Sequence, residues 1–260
     1  MRLPAFAERF VAAGYACLVF DYRHFGDSEG EPRQLLDIKR QLEDWKAAIA
    51  HIRSLDDVDS DRVAIWGTSF GGGHVLAAAA ADARVAAVIS QCPFTDGLAS
   101  SLATEPLVSL RLTALALADR MGSWFGANPI LVPLAGRPAT TAFMTSPDAW
   151  DGFNGLLPAG ARIRNEAAAR LALDIIRYYP GRRTPSIQAP VLFCVCDPDS
   201  VAPSKQTLRH ALRAPRHEIK RYPYGHFEIY VGKAFEQVVG DQLDFLRRTV
   251  PVTTTKGEKA

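Results

Sequence analysis

The feature that most constrains the fold is an apolar run that stops abruptly at a serine flanked by glycines. Val63 to Trp66 is short, apolar and partly β-branched, which is typical of a buried strand, and it leads into the sequence Gly67-Thr-Ser-Phe-Gly71. The residues that follow, from His74 to Ala81, are mostly good helix formers. The pattern therefore predicts a strand, a sharp turn centred on Ser69, and a helix.

A turn this sharp strains the backbone of its central residue and leaves little room for neighbouring side chains. Gly67 and Gly71 fit that requirement, because glycine has no Cβ. The Ser69 hydroxyl would then project from the carboxyl end of a strand, beside free N–H groups at a helix N-terminus. This is the G-x-S-x-G nucleophile elbow in its expected context, and it predicts that Ser69 is a nucleophile.

A serine hydroxyl needs a base, and the base needs an acid that fixes its tautomer. Of the six histidines, His226 is the best placed, because it directly follows the last predicted strand. His24 and His74 are weaker alternatives; His74 lies on the helix after Ser69 and should point away from the hydroxyl. Three carboxylates could serve as the acid, and all three keep the chain order Ser, Asp, His: Asp199, within a proline-rich turn, and the alternatives Asp197 and Asp96.

Strands and helices alternate along most of the chain, which predicts an α/β fold with a mostly parallel sheet covered on both faces. Residues 97–187 break the alternation, and we interpret them as an inserted, mainly helical cap on a core formed by 1–96 and 188–260. Leu98–Met121 and Arg164–Tyr179 are predicted to be helical. Apolar residues that could line a substrate pocket are Trp124, Phe125, Phe143, Met144, Trp150 and Phe153. The predicted strands are 15–22, 63–66, 85–92, 190–196 and 217–222, and the predicted helices outside the cap are 3–13, 34–55, 74–81, 204–213 and 235–246.

Charge and cysteine content indicate which partners, metals and cellular locations to expect. The 260 residues carry a formal net charge of only +2 without a dense basic run, so we expect neither nucleic acid nor a membrane as partner. Cys17, Cys92, Cys194 and Cys196 lie in strand-like apolar runs without metal-site spacing, which predicts buried thiols, no metal, and a reducing, cytoplasmic location. The polar tail 253–260 is expected to be disordered.

Four motifs together resemble the α/β-hydrolases of the serine-esterase, thioesterase and aminopeptidase-like kind. They are the loop from Asp21 to Ser28, the elbow at Ser69, the turn around Asp199, and Gly225-His226-Phe227. The resemblance implies that Ser69 is the nucleophile, Asp199 the orienting acid, His226 the base and the Phe70 N–H one oxyanion donor. It implies no cofactor. We expect hydrolysis of an ester, thioester or amide of a small to medium apolar acyl substrate through an acyl-enzyme, with a homodimer as an open alternative to a monomer.

The same resemblance raises an alternative function. In that family the helix equivalent to Leu3–Ala13 follows a central strand and a loop that supplies the second oxyanion donor, and neither precedes the helix in this sequence. The segments 15–22 and 63–66 would then either pair directly or leave a gap in the sheet. We therefore hypothesise that this sequence is an N-terminally truncated form of a longer hydrolase. In this form we expect the protein to be weakly active or unstable, or to act as a catalytically impaired binding protein.

Overall fold

The computed structural model describes residues 2–158, 160 and 163–252; the predicted disorder of 253–260 thus lies outside the described residues. Within this part of the chain the strands are β1 (Ala64–Thr68), β2 (Ala87–Gln91), β3 (Leu131–Val132), β4 (Ala167–Ala168), β5 (Val191–Cys196) and β6 (His217–Tyr222). The main sheet has four parallel strands in the order β1-β2-β5-β6. A second sheet pairs β3 with β4 antiparallel.

Helices separate the strands of the main sheet, as the alternating pattern predicts. The predicted helix over 34–55 begins only at Ile38, because the Asp37 side chain accepts the N–H of Arg40 as an N-cap and Gln34 has a positive φ of 62°. The helices are α1 (Leu3–Ala12), α2 (Ile38–Arg53), α3 (Phe70–Ala81), α4 (Gly97–Leu102), α5 (Pro106–Trp124), α6 (Ala149–Gly155), α7 (Leu171–Ile175), α8 (Ser204–Ala211) and α9 (Gly232–Thr249), with 3-10 turns at Pro180–Ser186 and Glu228–Tyr230.

Both faces of the main sheet are buried. In β5, Leu192 and Cys194 point into one apolar cluster, which α1 and α9 complete, while Val191 and Phe193 point into another, formed with α2, α3 and α8. This alternation follows from the two-residue period of a strand. The predicted doubly covered, mostly parallel α/β sheet is confirmed.

The prediction of a buried strand over residues 15–22 is wrong. This segment forms no strand, Leu18 and Val19 are exposed, and Cys17 is exposed rather than buried. A strand needs a neighbour for its backbone groups, and the described residues place none beside this segment. Its aromatic end packs instead on α2, where the Trp45 indole N–H donates to the Tyr22 hydroxyl at 2.7 Å.

Direct pairing of this segment with β1 is therefore not observed. Within the described residues β1 pairs only with β2 and is the edge of the sheet. Tyr15–Tyr22 and Val63–Thr68 both line one large cavity. Of the two arrangements expected from the sequence, the structure has the open gap.

Residues 97–187 are less helical than the sequence predicts. The expected helix over 98–121 is split into α4 and α5, because Pro106 starts a new helix after Glu105. The expected helix over 164–179 is wrong: this stretch holds the short strand β4 and the five-residue helix α7. The role of this segment as a cap stays a prediction.

A buried ion pair holds the segment together. The Asp119 carboxylate on α5 accepts hydrogen bonds from the Arg170 guanidinium at 2.8 Å and from the backbone N–H groups of Arg170 and Ile130. Its side chain is fully buried. One carboxylate therefore joins α5 to the strands β3 and β4. Throughout the described ranges, no helix has both the length and the apolar character needed to cross a membrane.

Candidate active site

Ser69 occupies a strained turn between β1 and α3. Its backbone has φ 54° and ψ −121°, a conformation that L residues rarely adopt. Two neighbours hold the turn in place: the Ser69 N–H donates to the carbonyl of Gln91 at 2.9 Å, and the Ser69 carbonyl accepts the N–H of Phe94 at 2.9 Å. The strand-turn-helix geometry predicted for the elbow is present.

The glycines around the serine differ in what they contribute. A Cβ added to Gly67 would lie 2.3 Å from the backbone oxygen of Gly71, whereas one added to Gly71 would meet nothing closer than the Tyr22 hydroxyl at 3.9 Å. Gly73 is also constrained, since its Cβ would lie 2.3 Å from the Phe94 carbonyl. The expected need for glycine therefore holds at Gly67 but not at Gly71.

The structure brings three of the predicted site residues into one hydrogen-bonded chain. The Nε2 atom of His226 lies 3.0 Å from the Ser69 hydroxyl, and its Nδ1 atom lies 2.8 Å from Oδ2 of Asp199. The Asp199 and His226 side chains are each 2% exposed. A carboxylate can only accept, so Nδ1 carries the proton and Nε2 is left to accept the serine proton.

Asp199 is fixed by its own turn, as the sequence predicts for a rigid acid. Its Oδ1 atom accepts the backbone N–H groups of Val201 at 2.9 Å and Ala202 at 2.6 Å. The two alternative acids lie elsewhere. Asp96 caps α4, because its Oδ1 atom accepts a hydrogen bond from the Ala99 N–H at 3.0 Å. Asp197 accepts a hydrogen bond through Oδ1 from Nε of Arg221 at 2.8 Å. Only Asp199 of the three thus contacts His226.

The other candidate histidines are engaged in packing. His74 is fully buried, with Nδ1 2.7 Å from the Tyr178 hydroxyl and Nε2 2.9 Å from the Gln41 side-chain oxygen. Burial lowers the pKa of His74 to about 3, so this ring is neutral. His24 lies 3.0 Å from the Arg40 guanidinium. Neither contacts the Ser69 hydroxyl.

The electrostatic surroundings favour a more basic His226. Burial alone disfavours the charged ring, but the Cys92 sulfur and the Asp199 carboxylate outweigh burial and raise the pKa of His226 above its ordinary value of 6.5. Among the described residues, the only cluster with metal-ligand character is Cys92, Asp199 and His226, whose ligand atoms lie within 4.8 Å of one another. Both ring nitrogens of His226 are already used within the chain of hydrogen bonds.

Phe70 is the first residue of α3, directly after the serine. The first N–H groups of a helix have no intrahelical partner, so the Phe70 N–H is available to donate a hydrogen bond to an oxyanion near the hydroxyl. The Phe70 ring packs against two other rings, with its centroid 4.8 Å from that of His74 and 5.1 Å from that of Phe94. The side chain thus anchors the residue whose backbone faces the site.

The large cavity that Tyr15–Tyr22 and β1 line has a volume of about 2240 Å³ and extends to Ser69 and Phe70. Of the aromatic and Met residues proposed to line a pocket, Phe143, Met144 and Phe153 do so, but Trp124, Phe125 and Trp150 do not. Trp124 and Phe125 are 73% and 88% exposed, which corrects that part of the prediction. Further apolar side chains of the lining come from residues 98–176; they include Leu98, Leu102, Leu110, Leu112, Leu134, Ile163, Leu171, Ile175 and Ile176.

Sequence reasoning missed two groups beside the site. The Thr68 hydroxyl, one residue before the serine, lies 2.5 Å from the Tyr230 hydroxyl and 3.5 Å from the Cys92 sulfur. Asp148 accepts the Ser200 hydroxyl at 2.7 Å and so joins residues 97–187 to the turn of Asp199. Nothing in the spacing of these residues distinguishes them, because their partners are distant in sequence.

A parallel sheet covered by helices, with a serine elbow at the carboxyl end of a strand, defines the α/β-hydrolase fold, and comparisons with known proteins agree. The chain belongs to the α/β-hydrolase family. It is 70% identical to the quorum-quenching protein AidA of Acinetobacter baumannii (strain MDR-ZJ06) over 252 residues, which cover 97% of this chain and 83% of the relative.

More distant relatives share the fold over a similar range. The chain is 25% identical to the thiohydrolase aneE of Aspergillus aculeatus, over 94% of this chain and 80% of the relative. The crystal structure of the α/β-hydrolase GrgF from Penicillium sp. sh18 superposes with a TM-score of 0.78 at 27% identity, over 96% of this chain and 85% of that one. A family profile described as X-Pro dipeptidyl-peptidase (S15 family) matches residues 2–121.

Proposed function

We propose that this protein is a serine-dependent acyl hydrolase that cleaves esters or thioesters of apolar acyl groups. The observation that carries the proposal is the chain of hydrogen bonds from Asp199 through His226 to Ser69 at a strained elbow. The order of donors and acceptors in this chain is the one that serine nucleophiles require.

The reaction follows from that order. His226 Nε2 takes the Ser69 proton while the serine oxygen attacks the acyl carbon, and the Phe70 N–H stabilises the oxyanion that forms. Collapse breaks the bond to the leaving alcohol or thiol, which receives the proton from His226. A water molecule, deprotonated by His226, then cleaves the acyl-enzyme to a carboxylic acid and restores Ser69. Asp199 stays ionised throughout and orients the ring.

The nature of the cavity supports an apolar acyl group. The cavity is lined by apolar side chains such as Phe143, Met144, Leu112 and Ile175. These side chains interact favourably only with the apolar surface of a bound substrate. A thioester substrate fits the similarity to a protein named a thiohydrolase. The expected rate profile rises from charged to apolar acyl groups, and equal rates across that series would contradict the apolar preference.

Turnover of short p-nitrophenyl esters tests the proposal. Ser69→Ala should lower the rate by a factor of about 10⁴ to 10⁶, because it removes the nucleophile and leaves only binding and oxyanion stabilisation. Ser54→Ala is the matched control, since Ser54 is exposed and donates to the His51 carbonyl away from the site. A Ser69→Ala protein as active as the control would contradict the mechanism, and a wild-type protein that binds esters without turnover would favour a binding role.

A further inference from the structure

The outer side of helix α5 carries an apolar stripe that the fold leaves uncovered. Its residues recur at alternating intervals of three and four, and they include Trp124, which is 73% exposed, and Leu110, which is 67% exposed and also borders the cavity at Ser69. The inner side of the helix is a separate stripe around Val108, Leu112 and Ala116, which is buried. We call the exposed set the outer stripe; it consists of Leu107, Leu110, Ala114, Leu117, Met121 and Trp124.

The outer stripe has the spacing of a helix-pairing seam. Apolar residues that alternate at three and four positions lie along one side of a helix and pack against a second helix as knobs into holes. A helix that only faces water has no need of this second stripe. The two stripes lie on opposite sides of α5. One side of the helix therefore packs against residues of the segment 97–187, while the other side is exposed and could pack against a partner helix.

Charge is nearly absent from this outer side. Helix α5 has three charged residues, and two of them are paired within the chain: Asp119 is buried against Arg170, and Arg120, on one flank of the helix, binds Asp174. Arg111 is the third and is exposed on one flank of the outer stripe. The outer surface is therefore apolar along the full length of α5. The helix has 19 residues and is about 28 Å long.

The exposed area matches what a dimer requires. With the neighbouring Phe125, which is 88% exposed, the outer stripe presents on the order of 800 Å² of apolar surface, given that a large aromatic residue exposes about 150–250 Å² when free. Monomeric proteins rarely expose a patch of this size, and a standard interface buries about 800 Å² per partner.

From these observations we propose that α5 pairs antiparallel with α5 of a second copy of this chain, about a two-fold axis that passes between the two helices at the level midway between Ala114 and Leu117. A two-fold interface must be self-complementary, and this alignment sets apolar side chains against apolar ones along the helix. Ala114 faces Leu117 of the other copy, Leu110 faces Met121, and Leu107 faces Trp124.

The flanking residues also fit this alignment. Arg111 lies on one side of the outer stripe and Arg120 on the other, so the two do not meet across the axis. The two copies of Arg111 lie on the same flank but are displaced by about 13 Å along the helix axis, which exceeds the Debye length of about 8 Å in physiological salt. Opposed helix dipoles favour the antiparallel arrangement further.

The experiment measures the molar mass of the full chain by sedimentation across micromolar concentrations. The wild-type protein should sediment at twice the chain mass of 28.4 kDa. Leu117→Arg should give the monomer, because it places two cations beside the axis. The matched control is Leu212→Arg, since Leu212 is 64% exposed at the end of α8 and outside the stripe. A Leu117→Glu protein mixed with Leu117→Arg should restore a dimer, which a merely misfolded variant would not do.

Two results would overturn the proposal. The first is a wild-type monomer at all concentrations, including one that binds phosphatidylcholine vesicles through the outer stripe, which would assign the surface to lipid. The second is a dimer that Leu117→Arg leaves intact. Orientation is tested by cysteine pairs in a Cys17→Ser background, because the native Cys17 is exposed. Leu107→Cys and Trp124→Cys proteins should form a mixed disulfide on oxidation, whereas a disulfide-linked Leu107→Cys homodimer would show parallel helices instead.

Discussion

The Nε2 atom of His226 lies 3.0 Å from the hydroxyl oxygen of Ser69, although 157 residues separate the two in the chain. Two turns at the same edge of the sheet bring them together: Ser69 directly follows β1, and His226 lies four residues after β6. Because the carboxyl ends of parallel strands meet at one edge, residues distant in sequence share one site there.

The choice among the three acids leads to the first prediction. Asp199→Asn should lower the turnover number by about 10⁴, because an amide at this position favours the wrong tautomer of His226. Asp197→Asn is the matched control and should change turnover little, since Asp197 pairs with Arg221 instead. Steady-state kinetics of the two purified variants decides between them. A larger loss in the Asp197 variant would move the acid to that residue.

The pH dependence of activity provides a second prediction. Attack by Ser69 needs a neutral His226, and the pKa of this ring is raised above 6.5. The neutral fraction grows with pH, so kcat/KM should increase as pH rises, through a midpoint above 6.5. Asp199→Asn should lower the pKa of His226 in an NMR titration, because the stabilising negative charge is gone. A wild-type midpoint below 6.5 would contradict this account of the ring.

The glycines of the elbow allow a matched comparison. Gly67→Ala should destabilise the protein and reduce activity, since its Cβ would lie 2.3 Å from the backbone oxygen of Gly71. Gly71→Ala should be tolerated, because the nearest atom to its Cβ is 3.9 Å away and Gly71 sits within helix α3. Melting temperature and ester turnover are measured for both. Equal damage at the two positions would show that the turn needs glycine for another reason.

The buried carboxylate of the segment 97–187 leads to a fourth prediction. Asp119→Ala leaves the Arg170 guanidinium without its partner and should reduce the free energy of unfolding by about 3 to 5 kcal/mol. Asp174→Ala removes the exposed pair with Arg120 and should cost no more than about 1 kcal/mol. Urea denaturation of both variants measures the difference. Similar losses would mean that the Asp119 pair contributes no more than a surface pair does.

Local patterns in the sequence predicted the elements that bury one face or both. Val191–Cys196 is apolar at every position and forms a fully buried strand, and the glycines around Ser69 identify the turn. His226 was predicted from its position shortly after the last strand, whereas chain order did not choose among Asp199, Asp197 and Asp96. These features depend on residues that are close together in the chain.

Features that depend on distant partners could not be predicted in the same way. Residues 15–22 are as apolar as the segments that form strands. Without a neighbouring strand, however, they stay unpaired and partly exposed. The stretch 164–179 is rich in helix formers, but Ala167–Ala168 pairs with Leu131–Val132 and Arg170 turns toward Asp119. Tertiary contacts therefore outweigh local propensity in this part of the chain.

The central claim is that Ser69 is the nucleophile, and covalent labelling tests it most directly. A fluorophosphonate should react once per active chain, and mass spectrometry of the digested protein should locate the adduct on the peptide that contains Ser69. Labelling should disappear in Ser69→Ala and persist in Ser54→Ala. An adduct on another residue, or an active protein that the reagent does not label at Ser69, would contradict the account.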